Sequence, residues 1–293
     1  MDIKPVLALC YDFDKTLSPE NMQDGYIRSL GLDVDTFWSE SNLLADKHHM
    51  DSNLAYMYKM IDEAVGKVIP TQQHLRSYGQ RVPLYKGLET WFERMNILGN
   101  KYEVQIEHYI ISSGLREIIE GTSIAPYFKH IYASAFYYDE RGVPRWPAQA
   151  INYTNKTQFL FRIEKGTLDI NDNHVNKHFA EGELRVPFRN IVYIGDSATD
   201  IPCMRLVNSL GGHSIGVYDR SNKKSKEQVY QMIKDKRIRY YVPTDYSNDS
   251  EMYKLIKSII RKTAAYEVLE NKYLQDKKQA FTSLIKKIKS NKI

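Results

Sequence analysis

The chain has 293 residues, enough for one large core or for a core domain with a smaller one attached. Its hydrophobic fraction of 42% and charged fraction of 26% are ordinary for a globular protein, and two cysteines, Cys10 and Cys203, exclude a disulfide framework and fit a cytoplasmic setting. The net charge is +5, but the stretch from Lys272 to Ile293 holds seven lysines against one aspartate, so the main body is near neutral and argues against a nucleic-acid groove there.

In chain order, the first apolar run is Val6 to Cys10, too short for a signal sequence or a membrane span and followed at once by acidic residues. With Tyr11 it reads as a strand buried on both faces of a parallel sheet. From about Glu20 to Tyr78 the pattern changes. Met22 to Leu30, Val34 to Lys47 and Asn53 to Val68 carry apolar residues three and four apart, which predicts an inserted cluster of helices. Pro83-Leu-Tyr-Lys-Gly87 marks the return. Leu88 to Leu98 then reads as a helix, Val104 to Ile111 as a strand, Leu115 to Glu120 as a helix and Ile131 to Tyr138 as a strand, with Asp139-Glu-Arg-Gly142 a hairpin turn. A helix is predicted over Lys156 to Glu164 and a strand over Asn190 to Ile194. Ser214 to Val217 and Arg239 to Val242 are later strands separated by a helix. Strands alternating with helices imply an α/β fold with a mostly parallel, Rossmann-like sheet, whose ligands gather at the carboxyl ends of strands near a switch point. From about Tyr266 the residues Leu269, Tyr273, Phe281, Leu284, Ile285 and Ile288 recur at helical spacing opposite lysines. A terminal helix packed on the body is the simpler reading; a membrane, nucleic-acid or partner surface is the alternative.

Two segments put carboxylates at strand ends. Tyr11-Asp12-Phe13-Asp14-Lys15-Thr16-Leu17 follows the first buried strand directly, and Val192-Tyr-Ile-Gly195-Asp196-Ser197-Ala198-Thr199-Asp200 repeats the arrangement. An Asp-x-Asp pair recurs by chance in any chain with this many charges, but two carboxylates leaving the carboxyl end of a buried strand can bind a divalent metal and reach a substrate together. Gly195 permits a tight turn or a close backbone approach, and Asp196 and Asp200 could also serve only as helix caps.

Taken together, DFDKT and GDSATD resemble motifs one and four of the haloacid dehalogenase-like superfamily, in that family's order. Ile110-Ile111-Ser112-Ser113-Gly114 is similar to its motif two, and Asn155-Lys156-Thr157 ahead of a helix to its motif three. The resemblance spans about Val6 to Pro202. It implies a Mg²⁺-dependent phosphatase in which Asp12 is the nucleophile that forms an aspartyl-phosphate and Asp14 the general acid/base. It further implies that Asp12, the Asp14 backbone carbonyl and Asp196 hold the ion, with Asp200 as a further ligand or an orienting group. Ser112 matches the hydroxyl that contacts the transferring phosphate, with Ser113 beside it as the alternative, and Lys156 the ammonium that neutralises its charge. Lys15 stands where these enzymes often have glycine. The acid/base Asp14 argues for phosphate chemistry rather than dehalogenation.

About ninety residues separate motif one from the strand of motif two, with the helical insert inside them. This resembles the cap of phosphoserine phosphatase-like members and implies a small phosphorylated substrate. The division it predicts is a core over 1–18 and 83–265, a helical cap over 19–82 and a basic terminal helix over 266–293. Arg28, Lys47, Lys59, Arg76 and Arg81 are cap cations that could meet an anionic substrate. A phosphomutase using the same intermediate, or a regulatory binding protein, are the competing readings. Elsewhere, His174 and His178 stand in a polar stretch that reads as a surface loop, His48 and His49 point apart on a helix, and Cys10 and Cys203 read as small buried hydrophobes. Tyr137, Tyr138 and Trp146 either line a site or cover the hairpin.

Overall fold

The computed structural model describes residues 4–290. All six residues of β1 (Val6–Tyr11) are buried, and their alternation divides them between two cores: Leu7, Leu9 and Tyr11 face one side of the sheet, Val6, Ala8 and Cys10 the other. Burial on both faces is what an unbroken apolar run requires. Parallel neighbours flank β1, β2 (Gln105–Leu115) on one side and β5 (Ile191–Gly195) on the other. Beyond β2 lie β3 (Phe128–Tyr138) and the antiparallel edge strand β4 (Pro144–Gln149); beyond β5 lie β6 (His213–Tyr218) and β7 (Tyr240–Pro243). The sheet order is therefore β4-β3-β2-β1-β5-β6-β7, a mostly parallel Rossmann-like α/β sheet as expected.

Helices cover both faces. Between β1 and β2 the chain forms α1 (Asp24–Ser29), α2 (Val34–His48), α3 (Ser52–Asp62), α4 (Gln72–Gly79) and α5 (Leu88–Lys101), and after β2 comes the short α6 (Arg116–Glu120). Their buried side chains, among them Tyr26, Met57, Leu75, Trp91, Phe92 and Ile118, join the Leu7 face. On the other face sit α7 (Thr157–Lys165), α8 (Ile201–Ser209) and α9 (Lys223–Lys234), through Phe159, Cys203, Met204 and Val229. The starts of α2, α3 and α4 are fixed locally: Asp33, Asp51 and Thr71 each accept a hydrogen bond from backbone N–H groups of the first turn. The chain leaves β1 and returns to the sheet along adjacent paths, with the Tyr85 N–H donating to the Leu17 carbonyl at 3.0 Å.

Several boundaries differ from the sequence reading. β2 continues past Ile111 to Leu115, because motif two stays extended. β4 carries Pro144 and Pro147, which hide it from strand propensity and which an edge strand tolerates because its outer N–H groups need no partner. The terminal helix, α10 (Glu251–Ser290), begins well before Tyr266 and packs its first part through Met252, Ile256, Ile259 and Ile260. From Tyr266 onward the side chains of Val268, Leu269, Tyr273, Leu274 and Phe281 are exposed instead of packed on the body; those of Leu284, Ile285 and Ile288 lie outside the described residues. Tyr137 and Trp146 pair across the β3/β4 hairpin and are exposed there, and both cysteines are buried and unbonded. His174 sits in a short 3₁₀ turn (Asn173–Asn176) instead of a loop, exposed and hydrogen-bonded to Asp172.

Candidate active site

The strand register builds the site. Tyr11 is level with Ile110 on β2 and Ile194 on β5, and the Asp12 N–H donates to the Ile194 carbonyl at 2.9 Å. From β1 the chain works outward through β2 and β3, then crosses back to β5 on the opposite flank, so these carboxyl ends form the switch point where an α/β sheet leaves a crevice. A cleft of about 210 Å³ opens there, and Asp12, Asp14, Ser112, Lys156 and Asp196 all line it.

Lys156 is the hub. It precedes α7 in a loop held by reciprocal asparagine contacts: Asn152 Oδ1 accepts from the Asn155 N–H at 3.1 Å, and Asn155 Oδ1 from the Asn152 N–H at 2.9 Å. Its Nζ, buried with the whole side chain, donates to Asp12 Oδ1 at 2.9 Å and Asp200 Oδ1 at 2.8 Å. Burial alone would strip its proton, but the two carboxylates outweigh that and hold the ammonium charged.

Asp200 is wholly buried and saturated. Its Oδ1 also accepts from the Tyr193 hydroxyl at 2.8 Å, and its Oδ2 from the Ser197 N–H and hydroxyl, each at 3.2 Å. Gly195 makes room for it, since a Cβ there would lie 2.5 Å from Asp200 Oδ2. Tyr193 and Ser197 were not singled out by sequence reasoning; a tyrosine inside a fully buried strand, whose hydroxyl must find a partner, was the available signal for the first.

Carboxylate oxygens of Asp12, Asp196 and Asp200 can all lie within 4.8 Å of one another. Burial, then Asp200 and Asp12, push Asp196 well above the usual carboxylate range. Burial chiefly, opposed by Lys156, pushes Asp12 to about 6. Asp14 is raised to about 8 by burial and by the Asp12 carboxylate, while the Met22 N–H anchors its Oδ1 at 2.8 Å. It therefore keeps its proton at neutral pH, the state a general acid needs. Among the described residues Asp196 has a single weak side-chain partner, the Thr16 hydroxyl at 3.4 Å. Crowded hard oxygen donors with one lysine among them fit a small divalent cation such as Mg²⁺.

Ser112 Oγ accepts from the Gly114 N–H at 3.0 Å and lines this cleft only, whereas Ser113 also lines an adjoining chamber. Lys15, with φ of 59°, occupies the left-handed region, which explains why glycine is common at this position; its Nζ donates to the Pro19 carbonyl at 2.8 Å. None of Arg28, Lys47, Lys59, Arg76 and Arg81 lines the cleft or the chamber. Arg28 pairs with Glu20, Lys59 with Glu40 and Glu63, and Arg76 with Glu120.

An α/β sheet with a carboxylate and lysine centre at its switch point defines the class of protein. Comparison then gives the family: the chain belongs to the haloacid dehalogenase-like hydrolases, whose family model matches residues 9–205, a span that holds every site residue named above. A protein of Borreliella burgdorferi, itself described as uncharacterized, is 25% identical over 280 residues, covering 86% of this chain and 95% of that one. Among solved structures, a HAD family hydrolase from Salmonella enterica serovar Typhi is 16% identical with a TM-score of 0.55, covering 83% of this chain and 71% of that one. A phospho-aspartyl intermediate analogue of phosphoserine phosphatase is 14% identical with a TM-score of 0.51, covering 87% and 99%. At these identities the structural likeness is one of fold. No helix among the described residues is long and apolar enough to cross a membrane.

Proposed function

We propose that this chain is a Mg²⁺-dependent phosphomonoesterase that hydrolyses a small phosphorylated metabolite through an aspartyl-phosphate on Asp12. The observation that carries the reading is the Asp12 carboxylate held 2.9 Å from the buried Lys156 ammonium, with Asp14 on the same cleft. In this reading Asp12 attacks phosphorus, the bond to the leaving oxygen breaks, and Asp14 delivers its proton to that oxygen. Asp14 then takes a proton from the water that cleaves the aspartyl-phosphate and returns Asp12. Lys156 offsets charge on the phosphoryl oxygens, and the Ser112 hydroxyl donates to one of them. Asp12, Asp196 and the Asp14 backbone carbonyl would hold the ion, which would supply charge neutralisation between the nucleophile and the anionic substrate. Asp200, with its oxygens taken, holds Lys156 in place.

Residues 19–82 act in this proposal as a cap over a core of residues 1–18 and 83–265. The Tyr56 hydroxyl donates to the Ser113 carbonyl at 2.7 Å and Asn53 Nδ2 to the Ile151 carbonyl at 2.8 Å, so α3 docks on the end of β2 and on the loop before Lys156, both of which carry site residues. Such a cover excludes water from the reacting centre. The test is direct. The full chain with an aryl phosphate should release inorganic phosphate with Mg²⁺, stop when the metal is chelated and resume when it is restored. Undiminished turnover in excess chelator contradicts the metal assignment. A phosphomutase would instead return little phosphate and need a phosphorylated activator.

A further inference from the structure

Adjoining the cleft, against the helical insert, lies the chamber, an open hollow of about 170 Å³. Asp14, Asn21, Asn53 and Ser113 line both spaces, so a group leaving phosphorus on the Asp14 side passes into it. Its remaining walls are Gln23, Trp38, Tyr56 and Gly114. Two features set its chemistry. Gln23 is 2% exposed, and its Oε1 is a buried acceptor without a donor among the described residues. Tyr56, on the same wall, donates its hydroxyl proton to the Ser113 carbonyl at 2.7 Å and so offers none to Gln23 Oε1. The second feature is Asp24, 5% exposed, directly behind the wall: its carboxylate accepts from Trp38 Nε1 at 3.1 Å, from the Asn21 N–H at 3.3 Å and from Asn21 Nδ2 at 3.4 Å, and it forms no salt bridge among the described residues. No lysine or arginine lines the chamber either.

A buried orphan acceptor calls for a donor, and an unpaired carboxylate behind aromatic walls attracts a cation. A carboxylate on the leaving group would meet the Asp24 charge with no lysine or arginine on the chamber wall to offset it. We infer that the leaving alcohol carries a protonated amine and no carboxylate, the ammonium donating to Gln23 Oε1 against Trp38 and Tyr56. The substrate class is thus a phosphorylated amino alcohol. This rests on the phosphatase reading above and narrows it.

The experiment compares kcat/KM of the full chain, with Mg²⁺, on four probes: an aryl phosphate, O-phosphoethanolamine, O-phosphoserine and glycerol phosphate. Phosphoethanolamine should exceed both phosphoserine and glycerol phosphate by roughly tenfold or more, the discrimination a polar pocket gives between matched and unmatched groups. Gln23→Leu should reduce the ratio of phosphoethanolamine to glycerol phosphate by about tenfold, and Gln23→Glu, which places a charge at the same point, should raise it. Turnover of the aryl phosphate with phosphoserine or glycerol phosphate preferred overturns the inference and leaves the phosphatase reading standing. No turnover of any probe overturns both. An unchanged ratio in both folded variants also overturns it, because a merely structural glutamine would lower all substrates alike.

Discussion

Lys156 joins two carboxylates in a space that shuts out water, and the details around it have measurable consequences. Gly195 is the clearest. Its Cα passes so close to Asp200 that an added Cβ would meet Oδ2 at 2.5 Å and Cγ at 2.6 Å, and four donors hold Asp200 where it is. Gly195→Ala should therefore lower stability by about 1–3 kcal/mol, the usual range for overpacking, and reduce turnover with it. Denaturant unfolding checks this, and unchanged stability would show that Asp200 can shift. Glu107 gives a separate test away from the cleft. Burial pushes its carboxyl up, but hydrogen bonds from Arg185, Lys129 and Tyr109 outweigh burial and hold it at about 2, against an ordinary 4.5. A depressed carboxyl stabilises the fold above its unfolded pKa, and the contribution is lost as pH falls through the folded one. Wild type should thus exceed Glu107→Gln in stability by up to roughly 3 kcal/mol above pH 4.5, with the gap closing towards pH 2. A gap independent of pH in that window would contradict the ion cluster.

At the scale of elements, β1 and β5 were legible because each is a short apolar run ending in carboxylates, a pattern that needs no tertiary knowledge. The helical insert was legible from its three- and four-residue spacing. What failed to show had local camouflage: β4 behind two prolines, and the extension of β2 behind the serines and glycine of motif two. The acidic residues and Lys156 could be found because their motifs are contiguous, whereas the chamber wall of Gln23, Trp38, Asn53 and Tyr56 comes from three helices and their connections, with no spacing rule to join them. For three of the cations on the insert, Arg28, Lys59 and Arg76, the sequence displays the charge but not the glutamates they pair with. One buried polar chain is also a product of packing. Trp91 Nε1 donates to the Tyr11 hydroxyl at 3.0 Å, which lies 3.1 Å from His108 Nδ1, while His108 Nε2 lies 3.2 Å from Asn96 Oδ1. Burial holds His108 down to about 3, so it is neutral, and the Asn96 contact assigns its proton to Nε2.

For the molecule as a whole, the described packing on the body ends partway along α10. Among the described side chains of α10, Ile259, Ile260 and Thr263 are the last that are buried, and from Tyr266 to Ser283 every one is half-buried or exposed. The apolar stripe seen in the sequence is real, but in this chain its described part does not face the body. Deleting Lys272 to Ile293, which holds no residue of the cleft, should leave kcat on an aryl phosphate within about twofold, and the exposed side chains from Lys272 to Ser283 should contribute little to the unfolding transition, since surface changes away from packed features fall within about 0.5 kcal/mol. A folded truncation that loses turnover would place part of the machinery in the tail. Truncation before Ile256 should instead destabilise strongly, by the loss of several fully buried aliphatic side chains at about 2–5 kcal/mol each.

The central claim is that Asp12 carries the phosphoryl group, and trapping that group tests it most directly. Asp14→Asn keeps the nucleophile and removes the proton shuttle, so with an aryl phosphate, whose leaving group needs little protonation, the covalent intermediate should build up while turnover falls by roughly 10² to 10⁴. Acid quench and mass spectrometry of the proteolysed protein should then find one phosphoryl group, on the peptide that contains Asp12, and none when Asp12→Asn is added. A phosphoryl group on any other residue, or near-normal turnover by the Asp12→Asn protein, would contradict the account.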